Sequence, residues 1–340
     1  MATKKATTKK TSTVRKTSTK KAAPAGTKTT VRTVSTEKTP SSNVASDSGT
    51  KTARKLDNNV VNIVLAELIG TFVLTMVALL VVADLAPLFV GLTLAVLVMT
   101  IGAVSGSHVN PAVTFGLWAA GKLKAILIPF YWGAQFLGAM AAVVVMNAVA
   151  STSIGLDFSH FGDFSWPVFM VEMIGAAVFL FGLTSVVSRV DLSAGGKALG
   201  LGLSLFVGLV VASSLYASVP KAAEAEYLKT LQEVATSSQA QSDSKDTQQP
   251  DTAKLREVAV PKTMRVGGAT LNPAIALAVT ESQSADDIHA KYGINQTSAT
   301  GDEPTKPGYS RLSLEVILAT LIGAAVGSNL SRLVNYRFKL

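Results

Sequence analysis

The sequence predicts an all-α membrane protein, with six transmembrane helices and two re-entrant half-helices arranged as an inverted repeat. Three observations carry this. Hydrophobic residues make up 48% of the 340 and the mean hydropathy is +0.38. They gather in runs long enough to cross a hydrocarbon core, which takes about 20 residues. Two of the apolar regions are interrupted by a glycine-bearing turn followed by Asn-Pro-Ala, first at Ser105-Gly-Ser-His-Val-Asn-Pro-Ala112 and again at Gly267-Gly-Ala-Thr-Leu-Asn-Pro-Ala274. A glutamate also recurs inside an apolar run, as Leu65-Ala-Glu-Leu-Ile-Gly and as Met170-Val-Glu-Met-Ile-Gly.

Taken in order, residues 1–57 are rich in Lys, Thr, Ser and Ala and carry 14 Lys/Arg against 3 Asp/Glu. The basic balance of the chain therefore belongs to this stretch, since the other 283 residues hold 17 Lys/Arg against 19 Asp/Glu. With almost no bulky apolar residue it is expected to be disordered, without a signal-peptide core. Its charge suits anionic lipid or nucleic acid. Spans are expected at 60–83, 87–104, 126–149 and 166–187, a fifth ending near Ala217, and a sixth at 312–334. Asn caps and Pro at the first helical position start the half-helices, 111–120 and 273–281.

Residues 58–150 thus form one repeat and 151–335 the other, with Glu67 matching Glu172. Three spans per half is an odd number, so the halves insert with opposite orientations. A broken, Pro-interrupted segment in each then points to a site at the membrane midplane. The glutamate-to-asparagine spacing is 43 in the first half and 100 in the second. The excess is a polar insert at 218–264, and a second follows at 282–310. Within the first insert 220–235 reads as an amphipathic helix with Ala223, Tyr227, Leu228 and Leu231 on one side, a cap over a pore mouth or a surface excursion. Lys122, Lys124, Arg189, Lys197, Arg337 and Lys339 fall on one face with the tail, which makes that face cytoplasmic, the C-terminal 336–340 included. Asp84, Asp157, Asp163 and both inserts fall on the other.

The paired motifs resemble the twin Asn-Pro-Ala boxes of the aquaporin (major intrinsic protein) channels, over roughly 60–335. The resemblance implies a passive channel for water or small uncharged, glycerol-like solutes that excludes ions, working as a homotetramer in the plasma membrane with both termini cytoplasmic. It places Asn110, Pro111, Ala112, Asn272, Pro273 and Ala274 at the junction of the half-helices. Carbonyls of Gly106, Ser107, His108 and Val109 and of Gly268, Ala269, Thr270 and Leu271 would line one wall. Glu67 and Glu172 would brace the box turns, and His108 is expected to brace its own. Matching Phe89-Val-Gly-Leu92 and Leu201-Gly-Leu-Ser204 to the family puts the selectivity constriction at Val90, Leu209, Ala269 and Ile275. Family members generally keep an arginine where this chain has Ile275, so a wider, apolar constriction is expected.

Two other readings fit the residues. Glu67 and Glu172, buried carboxylates in apolar spans, suit a proton-coupled transporter. A non-transporting anchor with a partner-binding tail is the second. An enzyme has little support: there is no Cys, only three His (His108, His160, His289), and no nucleophile–base spacing. No cofactor or metal is implied.

Overall fold

The computed structural model describes residues 59–150, 154–240, 252–294 and 308–335. By its contacts the chain divides into Met1–Arg54 and Lys55–Leu340. The basic tail and the C-terminal 336–340, with what was expected of them, lie outside the described residues.

The described residues form helices α1 (Val60–Leu80), α2 (Ala86–Ser105), α3 (Pro111–Ala119), α4 (Ile128–Ala150), α5 (Trp166–Ser188) and α6 (Ala194–Ala240). They continue with α7 (Thr252–Arg256), α8 (Lys262–Arg265), α9 (Pro273–Ala278), α10 (Ala285–Lys291) and α11 (Leu314–Val334). Six are long and apolar enough to cross a membrane: α1, α2, α4 with the turn before it, α5, α6 and α11. Each leaves large apolar side chains exposed on one face. On α11 the residues Leu314, Leu318, Ile322, Val326 and Leu330 are exposed at every fourth position. Its opposite face buries Ala319, Thr320, Gly323, Ala324, Gly327 and Ser328. Apolar outside and small or polar inside is the pattern of a helix solvated by lipid, where close packing and hydrogen bonds replace hydrophobic burial as the force between helices.

The halves interlock. In the first half α1 packs on α4, in the second α5 on α11, and α2 against α6 joins the two. The short helices cross over: α3 of the first half lies against α11, and α9 of the second lies against α4 and α1. Glycines permit the close approaches between these helices. A methyl group on Gly138 would strike the Leu68 carbonyl of α1, and one on Gly327 the Ala177 carbonyl of α5.

The structure departs from the sequence reading in three places. The helix of the fifth span does not stop where its apolar stretch ends near Ala217: α6 runs on to Ala240, and its extension is held by a core shared with distant residues. Of the side expected to be apolar, Tyr227 and Leu231 are buried, Ala223 is half-buried and Leu228 is exposed. Tyr227 and Leu231 pack with Leu255, Val260, Ile288 and Ile294, so the two inserts share a small core of their own. Helix α10 in it starts with a capping box, and the Ser284 backbone N–H and hydroxyl hold the Asp287 carboxyl below its usual range. The third departure is α9, which stops at Ala278 instead of reaching residue 281. A returning segment takes over its end: Arg311 N–H donates to Val279 O at 2.9 Å, Glu281 N–H to Tyr309 O at 2.8 Å, and Ser310 Oγ to Leu277 O at 2.9 Å.

Gly327→Leu drives a side chain into α5, and overpacking of this kind costs about 1–3 kcal/mol or more. Size-exclusion profiles and thermal unfolding in detergent are expected to show less monodisperse protein and a lower Tm. Leu330→Ala, on the lipid face, is expected to leave both near wild type.

The candidate pore

Each box is a sharp reversal held in an unfavourable backbone conformation. Helix α2 ends on Gly106 at φ +86°, in the left-handed region that glycine adopts freely. Val109, immediately before Asn110, has φ +43°, and Leu271, immediately before Asn272, has φ +51°. Such conformations cost a β-branched or bulky residue about 1–3 kcal/mol and persist only where the surroundings over-determine them. Here both polar groups of each residue are taken. Val109 N–H donates to Glu67 Oε2 at 2.7 Å and Leu271 N–H to Glu172 Oε2 at 2.9 Å. Their carbonyls accept from the opposite box: Asn272 Nδ2 donates to Val109 O and Asn110 Nδ2 to Leu271 O, both at 2.9 Å.

The asparagines are constrained from both ends. Asn110 Oδ1 accepts from Ala112 N–H at 2.8 Å and Asn272 Oδ1 from Ala274 N–H at 3.0 Å, which caps α3 and α9. An amide nitrogen carries two protons. One is spent on the opposite carbonyl and the other remains for whatever stands beside the pair. Pro111, Ala112, Pro273 and Ala274 are buried where α3 and α9 meet.

Both glutamates are fully buried. Glu67 accepts from Ser105 Oγ at 2.6 Å, His108 N–H at 2.9 Å, Val109 N–H and Gln135 Nε2 at 2.8 Å. Glu172 accepts from Thr270 N–H at 3.0 Å and Oγ1 at 3.3 Å, Leu271 N–H, and Arg311 Nη2 at 3.1 Å. His108 Nδ1 lies 3.1 Å from Thr114 Oγ1 and its ring stacks on Tyr131, whose hydroxyl donates to Ser105 O at 2.5 Å. Gly70 and Gly175 leave room beside the strained residues: a methyl group on either would meet Val109 or Leu271.

Two cavities adjoin. The outer holds about 700 Å³ and is lined by Asp84, Val90, Leu209, Tyr216, Gly268, Ala269, Thr270, Ile275 and Arg311, among others. The inner is a void of about 10 Å³ bounded by Asn110, Asn272, His108, Val109, Leu94 and Phe179. That is about the space of one water molecule. Val90, Thr270 and Ile275 line both. All four residues assigned to the constriction therefore face the outer cavity, and two of them stand where it meets the inner. Of the turn residues expected to supply carbonyls, His108, Val109, Gly268, Ala269 and Thr270 line a cavity, whereas Gly106, Ser107 and Leu271 line neither. Glu67 and Glu172 line neither as well. No described residue of α6 beyond Ala217 lines these cavities.

Gln135, Tyr131, Thr114 and Arg311 escape a sequence reading. The first three are ordinary polar residues on apolar helices, with a buried position as their only distinction. Arg311 carried one signal: a charge directly ahead of the sixth span.

Removing one carboxylate oxygen leaves a buried N–H unsatisfied, at about 1–3 kcal/mol. Glu67→Gln is expected to lower Tm accordingly. Glu172→Gln is expected to lower it further, because it also strands the buried Arg311 charge, a loss of about 3–5 kcal/mol. Thermal unfolding of the two variants side by side checks the order.

The family model described as "Major intrinsic protein" matches residues 53–223. Aquaporin Z of Photorhabdus laumondii is 32% identical over 165 residues, covering 41% of this chain and 71% of that protein. Aquaporin Z of Brucella melitensis is 36% identical over 130 residues, 34% of this chain and 56% of that protein. Aquaporin NIP2-2 of Zea mays is 31% identical over 132 residues, 37% of this chain and 44% of that protein. For the last two the chain spans about half the relative's length. The family match ends ahead of the second box, but that box is tied to the first by the Asn272–Val109 and Asn110–Leu271 bonds and carries the same cap. The chain belongs to the major intrinsic protein family.

Proposed function

We propose that the chain is a passive channel through which water and small uncharged, glycerol-like solutes cross the membrane while ions stay out. The observation that carries this is the asparagine pair. Each amide is locked by its own helix cap and by the opposite carbonyl, with one N–H remaining beside a void the size of a water molecule. A neutral oxygen can accept that N–H in single file, and carbonyls of the box turns can accept in return.

Ions meet two costs. Where the cavities meet, Val90 and Ile275 present only aliphatic groups and Thr270 alone is polar, too few ligands to replace a hydration shell, and stripping an ion costs several kcal/mol even in relaxed protein. The positive end of α3 adds to this for cations, as is established for aquaporin-type pores. Helix α9, with six residues, contributes a weaker dipole. An aliphatic constriction made by Val90, Leu209, Ala269 and Ile275 favours solutes larger than water with apolar flanks, which supports glycerol-like permeants alongside water. Passage makes and breaks no covalent bond, so no catalytic group is called for. The proton-coupled reading draws no support from Glu67 and Glu172, whose oxygens are engaged in the box turns away from both cavities. We take the assembly to be a homotetramer in the plasma membrane, with the Lys122/Arg189 face cytoplasmic.

Stopped-flow light scattering on proteoliposomes tests the channel. Under an impermeant osmolyte they are expected to shrink faster than empty liposomes, and under a glycerol gradient to re-swell faster. Mercuric chloride is expected to leave both rates intact, since the chain has no cysteine. Rates equal to empty liposomes for both solutes would contradict the channel.

A further inference from the structure

We propose that Arg311, supplied from the segment ahead of α11, is the charge-selectivity residue of this channel, the position after the second Asn-Pro-Ala being occupied by Ile275. The inference rests on the channel reading above and adds to it the group that keeps cations out at the outer mouth.

Arg311 is 95% buried yet lines the outer cavity, together with Ala269 and Ile275. It is the one Lys or Arg among the described residues lining either cavity. Its guanidinium is pinned. Nη2 donates to Glu172 Oε1 at 3.1 Å, the Tyr216 ring lies 5.7 Å from Cζ, and Nε has no hydrogen-bond partner. Its backbone N–H donates to Val279 O at the end of α9. A buried cation held by a carboxylate and an aromatic ring at a cavity wall is an arranged charge, whereas surface arginines are held by little.

The two halves differ at this point. Each box glutamate has a side-chain donor beyond its turn. For Glu67 it is the neutral Gln135 amide, 2.8 Å away, and for Glu172 it is the Arg311 guanidinium. A brace alone needs only the amide. The charged version places a cation on the cavity side of Glu172, which lines neither cavity. Asp84 also faces the outer cavity, but at the exposed rim, where water and salt screen it. Arg311 sits deeper, where a charge acts with less screening. Standing on the cavity side of its Glu172 partner, it raises the energy of a proton or ammonium ion in the outer cavity by the excess of its own repulsion over the attraction of the more distant carboxylate.

The test compares proton and methylammonium permeability with water permeability in the same proteoliposomes, for wild type, Arg311→Gln and Arg311→Lys. The double variant Glu172→Gln/Arg311→Gln is measured with them, because it removes both buried charges together and leaves neither uncompensated. In R311Q, which deletes the one poorly screened cation and leaves the Glu172 carboxylate charged, the cation-to-water ratio is expected to rise about tenfold or more, and in the double variant, which deletes both charges, by a smaller factor above about twofold. R311K keeps the charge and is expected to hold the wild-type ratio. A ratio within about twofold of wild type in either neutral variant overturns the role of Arg311 while the channel stands. Wild-type vesicles no more permeable to water or glycerol than empty ones overturn the channel reading and this inference with it.

Discussion

The pair of crossed hydrogen bonds between the boxes, Asn110 Nδ2 to Leu271 O and Asn272 Nδ2 to Val109 O, is the constraint on which the rest of the structure depends. Neither half can satisfy it alone. Each asparagine caps its own short helix, and each needs a carbonyl presented by the other half at a left-handed residue. Val109 and Leu271 hold that conformation because a buried glutamate takes the N–H and the opposite asparagine takes the carbonyl. The chain thereby turns irregular backbone at membrane depth, tolerated only where protein or water satisfies it, into a fixed set of donors and acceptors around a narrow void.

Lipid as the outer solvent explains the side-chain distribution around this centre. Many Leu, Ile and Val side chains look outward, and polar residues that would be surface groups in a water-soluble protein turn in. Glu67, Gln135 and Thr114 serve the first box and Glu172, Thr270 and Arg311 the second. The near-symmetry breaks at the second box. The outer mouth has Arg311, a shorter half-helix and a returning segment against its end, none of which the first half possesses.

Much of this was legible in the residues. Six apolar runs, two Asn-Pro-Ala boxes and two glutamates are strong one-dimensional signals, because span length and helix capping are local properties. The box residues followed from those signals, whereas Val90 and Ile275 were named only by the family resemblance. Elements set by distant partners were not legible. The end of α9 depends on residues 309–311 more than thirty positions away, and the course of α6 depends on a core shared with Ile288 and Ile294. Arg311 was invisible for the same reason: its role comes from meeting Glu172 and the cavity wall, and nothing in Ser310-Arg311-Leu312 announces either.

The central claim is that the free N–H of each locked asparagine, and not merely the shape of the boxes, carries the passing molecule. Aspartate tests it most directly, because Asp caps a helix as well as Asn does but has no N–H to donate. Water permeability per reconstituted channel, measured on monodisperse Asn110→Asp and Asn272→Asp proteins, is predicted to fall by about tenfold or more in each, as a carboxylate takes the place of the donor at both the opposite carbonyl and the void. Wild-type water permeability in both variants would contradict the account.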